Sequence, residues 1–255
     1  EINLDKTKRN NMVCLAQINK SIGRMHYNKG NYDNALKYYK KSLSYTKKLF
    51  DKKSPNFGEI YNRLGLAYSS KEGYNESLKY FQKALDNNIA IYGLDNHLHQ
   101  ARIHYNIGTI YEEQGLKEKA IFHTKKSLDF GIKTFGENYP DLYYPLGQMG
   151  LLYEDERGIQ YIQKALDLCF KSESIGKDHS RVAYMYQNLS DIYLKINKLD
   201  EALEYTKKAL QIRLQLFGKR NTSVAWCYNR MADIYAKQGD YKNALVYNEK
   251  GISIN

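Results

Sequence analysis

Three histidines that lie close together in the chain have the residue type that binds transition metals: His97, His99 and His104. The five-residue step from His99 to His104 places their rings on different sides of a helix, so these two cannot share an ion. His97 and His179 each follow an Asn or Asp directly before a predicted helix, which favours a structural corner at both places. We therefore expect no metal site.

Motifs for catalysis and for cofactor binding are missing from this sequence. It contains no nucleophile elbow, no glycine loop that could hold a phosphate and no His-Glu-x-x-His helix. Acidic clusters such as Glu112-Glu113 fall at the ends of predicted helices, where exposure to solvent explains them. We expect a protein that has no enzymatic activity and needs no cofactor.

Side chains suited to binding an extended, acidic peptide are more prominent. An amide can donate to and accept from a peptide backbone, and a guanidinium can bind a carboxylate through two parallel hydrogen bonds. Asparagines recur at Asn62, Asn106, Asn188 and Asn229. Cations are concentrated in the N-terminal half, at Lys20, Arg24, Arg63 and Arg102. Whether these groups can act together depends on the elements that carry them.

Those elements follow a repeat of about 42 residues. Its most regular position holds a small residue, at Gly23, Gly65, Gly108, Gly150, Ser190 and Ala232. An aromatic residue follows three positions later, a second small residue twelve later and an aliphatic residue twenty later. A turn containing Gly, Asn or Asp lies between the aromatic and the second small residue, which predicts two antiparallel helices in each unit. A period of this length indicates a solenoid.

The segments Gly65 to Ser77 and Ala232 to Ala244 resemble the tetratricopeptide repeat. That repeat has about 34 residues, and the longer unit here is similar to the repeats of kinesin light chains. The resemblance implies an all-α, right-handed α-solenoid of about six helix-turn-helix units, forming one superhelical domain over residues 1–255. The expected units are 6–53, 54–95, 96–137, 138–176, 177–219 and 220–255.

The resemblance also implies where a ligand binds, because polar residues around the small residue point into the concave groove in this family. The peptide-binding residues expected on this basis are Lys20, Arg24, Asn62, Arg63, Arg102, Asn106, Asn188, Asn229 and Arg230. The set resembles a carboxylate clamp in which Arg24 and Arg63 replace the usual asparagines. We therefore expect an internal acidic segment rather than a free C-terminus. The alternative is that these are ordinary hydrophilic residues facing water.

Unit four departs from the pattern. From Gly150 to Leu166 there are four residues fewer than the corresponding step in unit two, which predicts a shortened helix pair. Pro140 and Pro145 lie in or near its first helix, where proline tends to produce a kink. Unit four is expected to be either a hinge or a tolerated irregular repeat.

The net charge of +11 is concentrated in the first repeat. Residues 1–53 carry 13 Lys and Arg against 4 Asp and Glu, whereas residues 54–255 carry 26 against 24. Most of these lysines belong to the predicted second helix, so a solvated convex face explains them. Docking on nucleic acid or on an anionic membrane is the weaker interpretation, because no nucleic-acid-binding motif accompanies the charge.

The cysteines and the hydropathy pattern suggest the compartment. Cys14, Cys169 and Cys227 are far apart and odd in number, so we expect small buried residues in a reducing environment, the cytoplasm. No run of residues approaches the ~20 apolar residues of a membrane span.

The function expected from these observations is that of a non-enzymatic scaffold or adaptor, which binds an extended, acidic segment of a partner protein in its groove. The alternative is a sensor or regulatory array belonging to a larger protein with a catalytic or DNA-binding domain. The sequence ends at Asn255 inside a predicted second helix. Self-association through that end is a further expectation.

Overall fold

The computed structural model describes residues 6–51, 53–93, 97–172 and 179–254, except the side chains of residues 97 and 98. These residues form twelve α-helices and no strand, which confirms the all-α expectation. The helices are α1 (Lys6–Asn28), α2 (Tyr32–Leu49), α3 (Pro55–Ser69), α4 (Tyr74–Tyr92), α5 (His97–Glu113), α6 (Lys117–Phe135), α7 (Tyr143–Tyr153), α8 (Glu156–Lys171), α9 (Ser180–Lys195), α10 (Leu199–Phe217), α11 (Thr222–Lys237) and α12 (Tyr241–Ile252).

The chain divides into two compact units, Glu1–Thr134 and Phe135–Asn255. In the first unit α1 packs against α2 and α3 against α4, while α2 contacts α3 and α4 contacts α5. The second unit repeats this order, with α7 against α8, α9 against α10 and α11 against α12. Within each unit these contacts join helices that are neighbours in sequence, as in a solenoid. The expectation of a single superhelical domain stays a prediction.

The two helices of a pair approach closely where the small residue lies. Gly23 of α1 lies against the ring of Tyr39, and Gly65 of α3 lies against the ring of Phe81. In the fourth repeat Gly150 lies against Ile162 in the same way. A side chain at any of these glycines would collide with its neighbour, so the pattern of small residues sets the spacing of each pair.

The aromatic position three residues after the small residue also has a packing role. Tyr68 stacks on Tyr80 across the α3–α4 pair, with ring centroids 5.5 Å apart and planes 10° from parallel. Tyr193 stacks on Tyr205 in the α9–α10 pair at 5.4 Å and 3°. Equivalent stacks join His26 to Tyr38, Tyr153 to Tyr161 and Tyr235 to Tyr247. These tyrosines are structural, because they hold the two helices of a pair in register.

The turn between the two helices requires a left-handed residue seven positions after the small residue. The glycines that supply it are Gly30, Gly115 and Gly239, with φ between 71° and 81°. In the second repeat the left-handed residue is Glu72 (φ 58°) rather than the adjacent Gly73. Gly73 has φ −79° and precedes α4 as its N-cap. The position in the turn, and not the residue type, therefore determines which residue is left-handed.

Unit four is shortened as predicted, since α7 has 11 residues, whereas α3 has 15 and α9 has 16. The proline kink is not found. Pro140 begins a short 3₁₀ turn before α7, and Pro145 is the third residue of α7. An N–H group in the first turn of a helix has no intrahelical partner, so proline costs nothing there. The hinge stays a prediction.

Two of the three cysteines are buried as expected, and one is not. Cys169 and Cys227 are buried, and burial raises the pKa of the Cys169 thiol to about 11. Cys14 is exposed on α1, so its predicted burial is wrong. Among the described helices, none combines the length and apolar character that a membrane span requires.

The left-handed conformation of Glu72 leads to a stability prediction. Replacing Glu72 by Gly removes the steric cost of positive φ, so we expect the free energy of unfolding to rise by about 0.5–1 kcal/mol in urea denaturation. Glu72→Gln removes the charge without changing the conformational cost and serves as the control. An equal gain from both variants would contradict the explanation.

Candidate functional site

A depression of about 400 Å³ lies in the first compact unit between α3 and α5. Its walls carry polar side chains of α3 and α5, which are the first helices of the second and third repeats. The floor is formed by α4. The lining residues are Pro55, Asn56, Gly58, Glu59, Asn62, Arg63, Leu66, Asn88, Tyr92, His99, Arg102 and Ile103. Three of the predicted binding residues, Asn62, Arg63 and Arg102, are among them.

Asn88 of α4 forms part of the floor because it lies against a glycine. The backbone of Gly58 on α3 packs on the side chains of Asn87 and Asn88, which are both largely buried. Since neither Gly58 nor Asn88 has a long side chain, space remains above them. The depression therefore follows from two small residues on adjacent helices.

Two of the predicted cations are bound to a carboxylate of the protein itself. The Lys20 ammonium on α1 lies 2.6 Å from Glu59 Oε2, and Arg63 donates from Nε and Nη2 to Glu59 Oε1 at 3.0 and 2.9 Å. Burial opposes ionisation of Glu59, but the hydrogen bonds from Lys20 and Arg63 prevail and lower the pKa of its carboxyl group. Lys20 and Arg63 are thus brought together, with Glu59 between them.

The predicted asparagines of the first unit also meet. Asn106 Nδ2 on α5 donates to Asn62 Oδ1 on α3 at 3.3 Å. Both side chains are partly exposed, so the free donors of Asn62 and the free carbonyl of Asn106 face the surface between the two helices. The backbone of an extended peptide could form further hydrogen bonds with these two amides.

Arg24 and Arg102 differ from the other cations. Both are exposed, and neither forms an ion pair with any of the described residues. Glu59 is the one carboxylate among the described residues that line the depression. The described lining of the depression therefore holds two arginines, Arg63 and Arg102, against one carboxylate, so its formal charge is positive.

The predicted residues of the second unit are arranged differently. Asn188 is 1 % exposed, and its Nδ2 has no hydrogen-bond partner among the described residues. Asn229 lies against Gly251 of α12, within the last helix pair. Arg230 pairs with Asp191 at 2.9 Å and lies 5.1 Å from the centre of the Trp226 ring. Burial raises the pKa of Asp191, although the charge of Arg230 opposes this.

Arg213 of α10 is an important residue that sequence reasoning missed. Its side chain is buried and donates to the carbonyl of Ser223 at 3.0 Å, to Cys227 Sγ at 3.2 Å and to Gln187 Oε1. It also lies 5.1 Å from the centre of the Trp226 ring, on which Arg230 packs as well. A cation at a buried position of the second helix is the sequence signal that could have identified it.

Arg213 is the counterpart of Asn88 in the aligned repeats, since each lies 23 positions after the small residue of its unit. Asn88 leaves space between α3 and α5. Arg213 fills the corresponding place between α9 and α11 with a long side chain and its hydrogen bonds. The open polar depression described above therefore belongs to the first unit.

The histidines do not assemble as a metal cluster. His99 is exposed near Tyr92, whereas His104 is buried and pairs with His123 of α6, Nδ1 to Nδ1 at 2.8 Å. His179 caps α9 by accepting from the N–H of Arg181 at 3.1 Å, while the side chain of His97 lies outside the described residues. No group of three or more potential metal ligands occurs in the described part of the chain.

The comparison with known proteins agrees with this architecture. A family model for the tetratricopeptide repeat matches residues 14–90, 58–133, 146–215 and 198–255. The chain belongs to the tetratricopeptide repeat family. A search of curated protein sequences returned no match.

Several solved structures have a similar backbone. BtubC from P. vanneervenii aligns with 17 % identity and a TM-score of 0.69, over 88 % of this chain and 87 % of that one. The quorum sensor NprR from B. thuringiensis, in its apo form, has 18 % identity and a TM-score of 0.70, over 94 % and 64 %. Aspartyl phosphate phosphatase F from Bacillus subtilis has 17 % and 0.70, over 98 % and 72 %. At these identities the likeness concerns the fold alone.

The histidine pair predicts a loss of stability in mild acid. Burial lowers the pKa of both His104 and His123 to about 4, with the nearby charge of Lys126 acting in the same direction. The folded protein keeps both rings neutral, whereas the unfolded chain takes up protons below its pKa near 6.5. Stability is therefore complete above pH 6.5. As the pH falls from 6.5 towards 4, each histidine lowers the free energy of unfolding, by at most about 1.4 kcal/mol per pH unit and by less for the partly exposed His123.

Urea denaturation between pH 7 and 5 measures this slope. His123→Gln should flatten it, because one ring of the pair is removed. His99→Asn is the control, because it replaces an exposed histidine of α5, the helix that carries His104. It should leave the slope unchanged. A slope that is equal in the wild type and in His123→Gln would contradict the assignment.

Proposed function

We propose that the protein is a non-enzymatic interaction scaffold, which binds an extended, acidic segment of a partner protein in the depression between α3 and α5. The observation that carries this proposal is the positive, polar surface built by Asn62, Asn106, Arg63 and Arg102. Tetratricopeptide repeats are protein-interaction modules, and the depression is an open hollow between two helices of this array.

The chemistry of the surface favours a peptide backbone with acidic side chains. The Asn62–Asn106 pair presents donors and an acceptor for the backbone of an extended chain. The exposed Arg102 guanidinium at its edge provides the charge for a carboxylate. Because Arg102 is exposed, binding should weaken as the salt concentration rises.

Charge reversal at Arg102 tests this proposal. We expect Arg102→Glu to weaken binding of short, capped peptides with glutamate at alternate positions about five- to tenfold, because attraction is replaced by repulsion. The matching glutamine peptides should bind both proteins equally. Lys47→Glu makes the same charge change on the exposed face of α2 and is the control. Equal effects of the two variants in calorimetry would refute the proposed position of the ligand.

A second candidate is a sensor or regulatory array. NprR is a quorum sensor, and its chain is longer than the part that aligns here. The same first-unit surface would then receive a signalling peptide, and the bound state would act on an effector. The two candidates differ in what a bound peptide changes: a sensor alters its contact with an effector, whereas a scaffold simply retains its partner.

An exposed apolar residue in the last helix pair supports self-association. Leu245 of α12 is 64 % exposed, whereas its counterpart Leu203 of α10 is 8 % exposed and packs with Met231 and Ile234. On α1, Met25 is the counterpart of Ile234 and is also exposed. We propose that these two faces can pair head to tail between copies, as a second helix packs on the next first helix within the chain.

Sedimentation velocity over a range of concentrations tests this pairing. We expect the wild type to form larger species as concentration rises and Leu245→Glu to remain monomeric, because a charge enters the apolar contact. Phe122→Glu, at an exposed apolar residue of α6, should behave as the wild type. A wild type that is monomeric throughout would exclude the pairing.

Docking of the basic first repeat on nucleic acid or on a membrane has less support. The described lysines of α2, including Lys37, Lys47 and Lys48, are exposed on the second helix of the pair. Lys40 and Lys41 lie over the rings of Tyr68 and Tyr38. These contacts explain part of the lysine face through packing within the protein.

A further inference from the structure

We propose that Glu59 competes with the carboxylates of the ligand for Lys20 and Arg63. It thereby limits the gain in affinity that each acidic residue of a bound segment provides. This inference rests on the proposed binding of an acidic segment to the first-unit surface. Glu59 occupies the two cations that would otherwise be the strongest carboxylate site of that surface. An incoming carboxylate is then left with the exposed arginines at its edge.

The geometry around Glu59 is that of a bound carboxylate. One oxygen accepts from the Lys20 ammonium at 2.6 Å, and the other accepts two N–H bonds of the Arg63 guanidinium at 3.0 and 2.9 Å. Both oxygens are therefore used by cations. A glutamate or aspartate of a ligand placed at the same point would receive the same three charge-assisted bonds.

Glu59 is the most exposed of the three side chains Lys20, Glu59 and Arg63. Its side chain is 42 % exposed, whereas those of Lys20 and Arg63 are 20 % and 26 % exposed. A ligand that approaches from solvent therefore meets the carboxylate before it meets the two cations. Because like charges repel, Glu59 disfavours a ligand carboxylate at this point as long as it stays ionised.

The two cations bound by Glu59 line different hollows of the first unit. Glu59 and Arg63 line the depression of about 400 Å³, and Lys20 lines a smaller hollow of about 90 Å³ between α1, α2 and α3. Asn56 lines both hollows. Removing the charge of Glu59 would therefore leave a cation without its carboxylate partner in each hollow.

A purely structural role predicts something different. Lys20 and Glu59 connect α1 to α3, and a partly exposed ion pair of this kind contributes about 0–1 kcal/mol to stability. The apolar core formed by Leu36, Tyr39, Phe57 and Ile60 already holds this region together. A structural ion pair would change the melting temperature but leave the preference among peptides unchanged.

Glu59→Gln separates these roles, because it keeps the shape of the side chain and removes its charge. The probes are short, capped peptides of equal length that carry zero, one, two or three glutamates, with glutamine at the remaining alternate positions. We expect Glu59→Gln to bind the peptides with two or three glutamates about five- to tenfold more tightly than the wild type does. The glutamine peptide should bind the two proteins equally.

Glu76→Gln is the matched control, because Glu76 pairs with Lys79 on the exposed face of α4. It makes the same change in net charge outside the depression. Lys20→Met adds a second measurement. In the Glu59→Gln background it should remove most of the gain, because one of the two cations that Glu59 releases is then absent.

The outcomes separate this inference from the proposed function. If the wild type binds glutamate peptides and Glu59→Gln binds them no more tightly, the competitor role is wrong and the scaffold proposal stands. The competitor role is also wrong if Glu76→Gln produces the same gain. If neither protein binds any peptide of the series, both proposals fail. Tighter binding by Glu59→Gln alone, lost again with Lys20→Met, establishes the role.

Discussion

The contact between a small residue on the first helix and a bulky residue on the second is the constraint on which the structure depends. Gly23 against Tyr39 and Gly65 against Phe81 set the distance between the helices of a pair, since any side chain at the glycine would collide with the ring. Where serine replaces glycine, Ser190 bonds Thr206 at 2.7 Å. The stacked aromatic rings further along each pair then hold the register. With pairs of fixed geometry, successive units can differ in their polar residues without any change in the scaffold.

The depression is a consequence of variation at one position of that scaffold. Twenty-three residues after the small residue, the second helix points a side chain towards the space between two first helices. Asn88 is short and leaves that space open, and Arg213 fills it with a guanidinium that bonds Ser223, Cys227 and Gln187. The same backbone therefore provides a hollow surface in one unit and a filled polar core in the other. A change of residue, rather than of fold, decides which surface can receive a ligand.

Charge is organised on the same principle. A cation-rich surface that is already partly neutralised gains less affinity from each acidic residue of a ligand than one with only free cations, because the ligand carboxylates compete with the internal one. Glu59 neutralises Lys20 and Arg63, and Arg24 and Arg102 remain without ion pairs among the described residues. The asparagine pair, Asn62 and Asn106, is neutral and suits any peptide backbone. In the proposed binding mode, affinity for a backbone and selectivity for side-chain charge are thus assigned to different residues.

The sequence by itself determined the helix pairs, their 42-residue period and the family. These depend on local properties: the spacing of small and aromatic residues, and turns that require a left-handed residue at one place. It also proposed six polar residues of the first unit for binding, of which Asn62, Arg63 and Arg102 line the depression. Only the tertiary structure decided which of them act together. Lys20 and Glu59 are 39 residues apart, and their pairing depends on the rotation of two helices and the reach of a long side chain. Asn188 occupies a column like that of Asn106 and is nevertheless buried, because the packing of neighbouring helices, rather than the position in the repeat, decides which face meets the solvent.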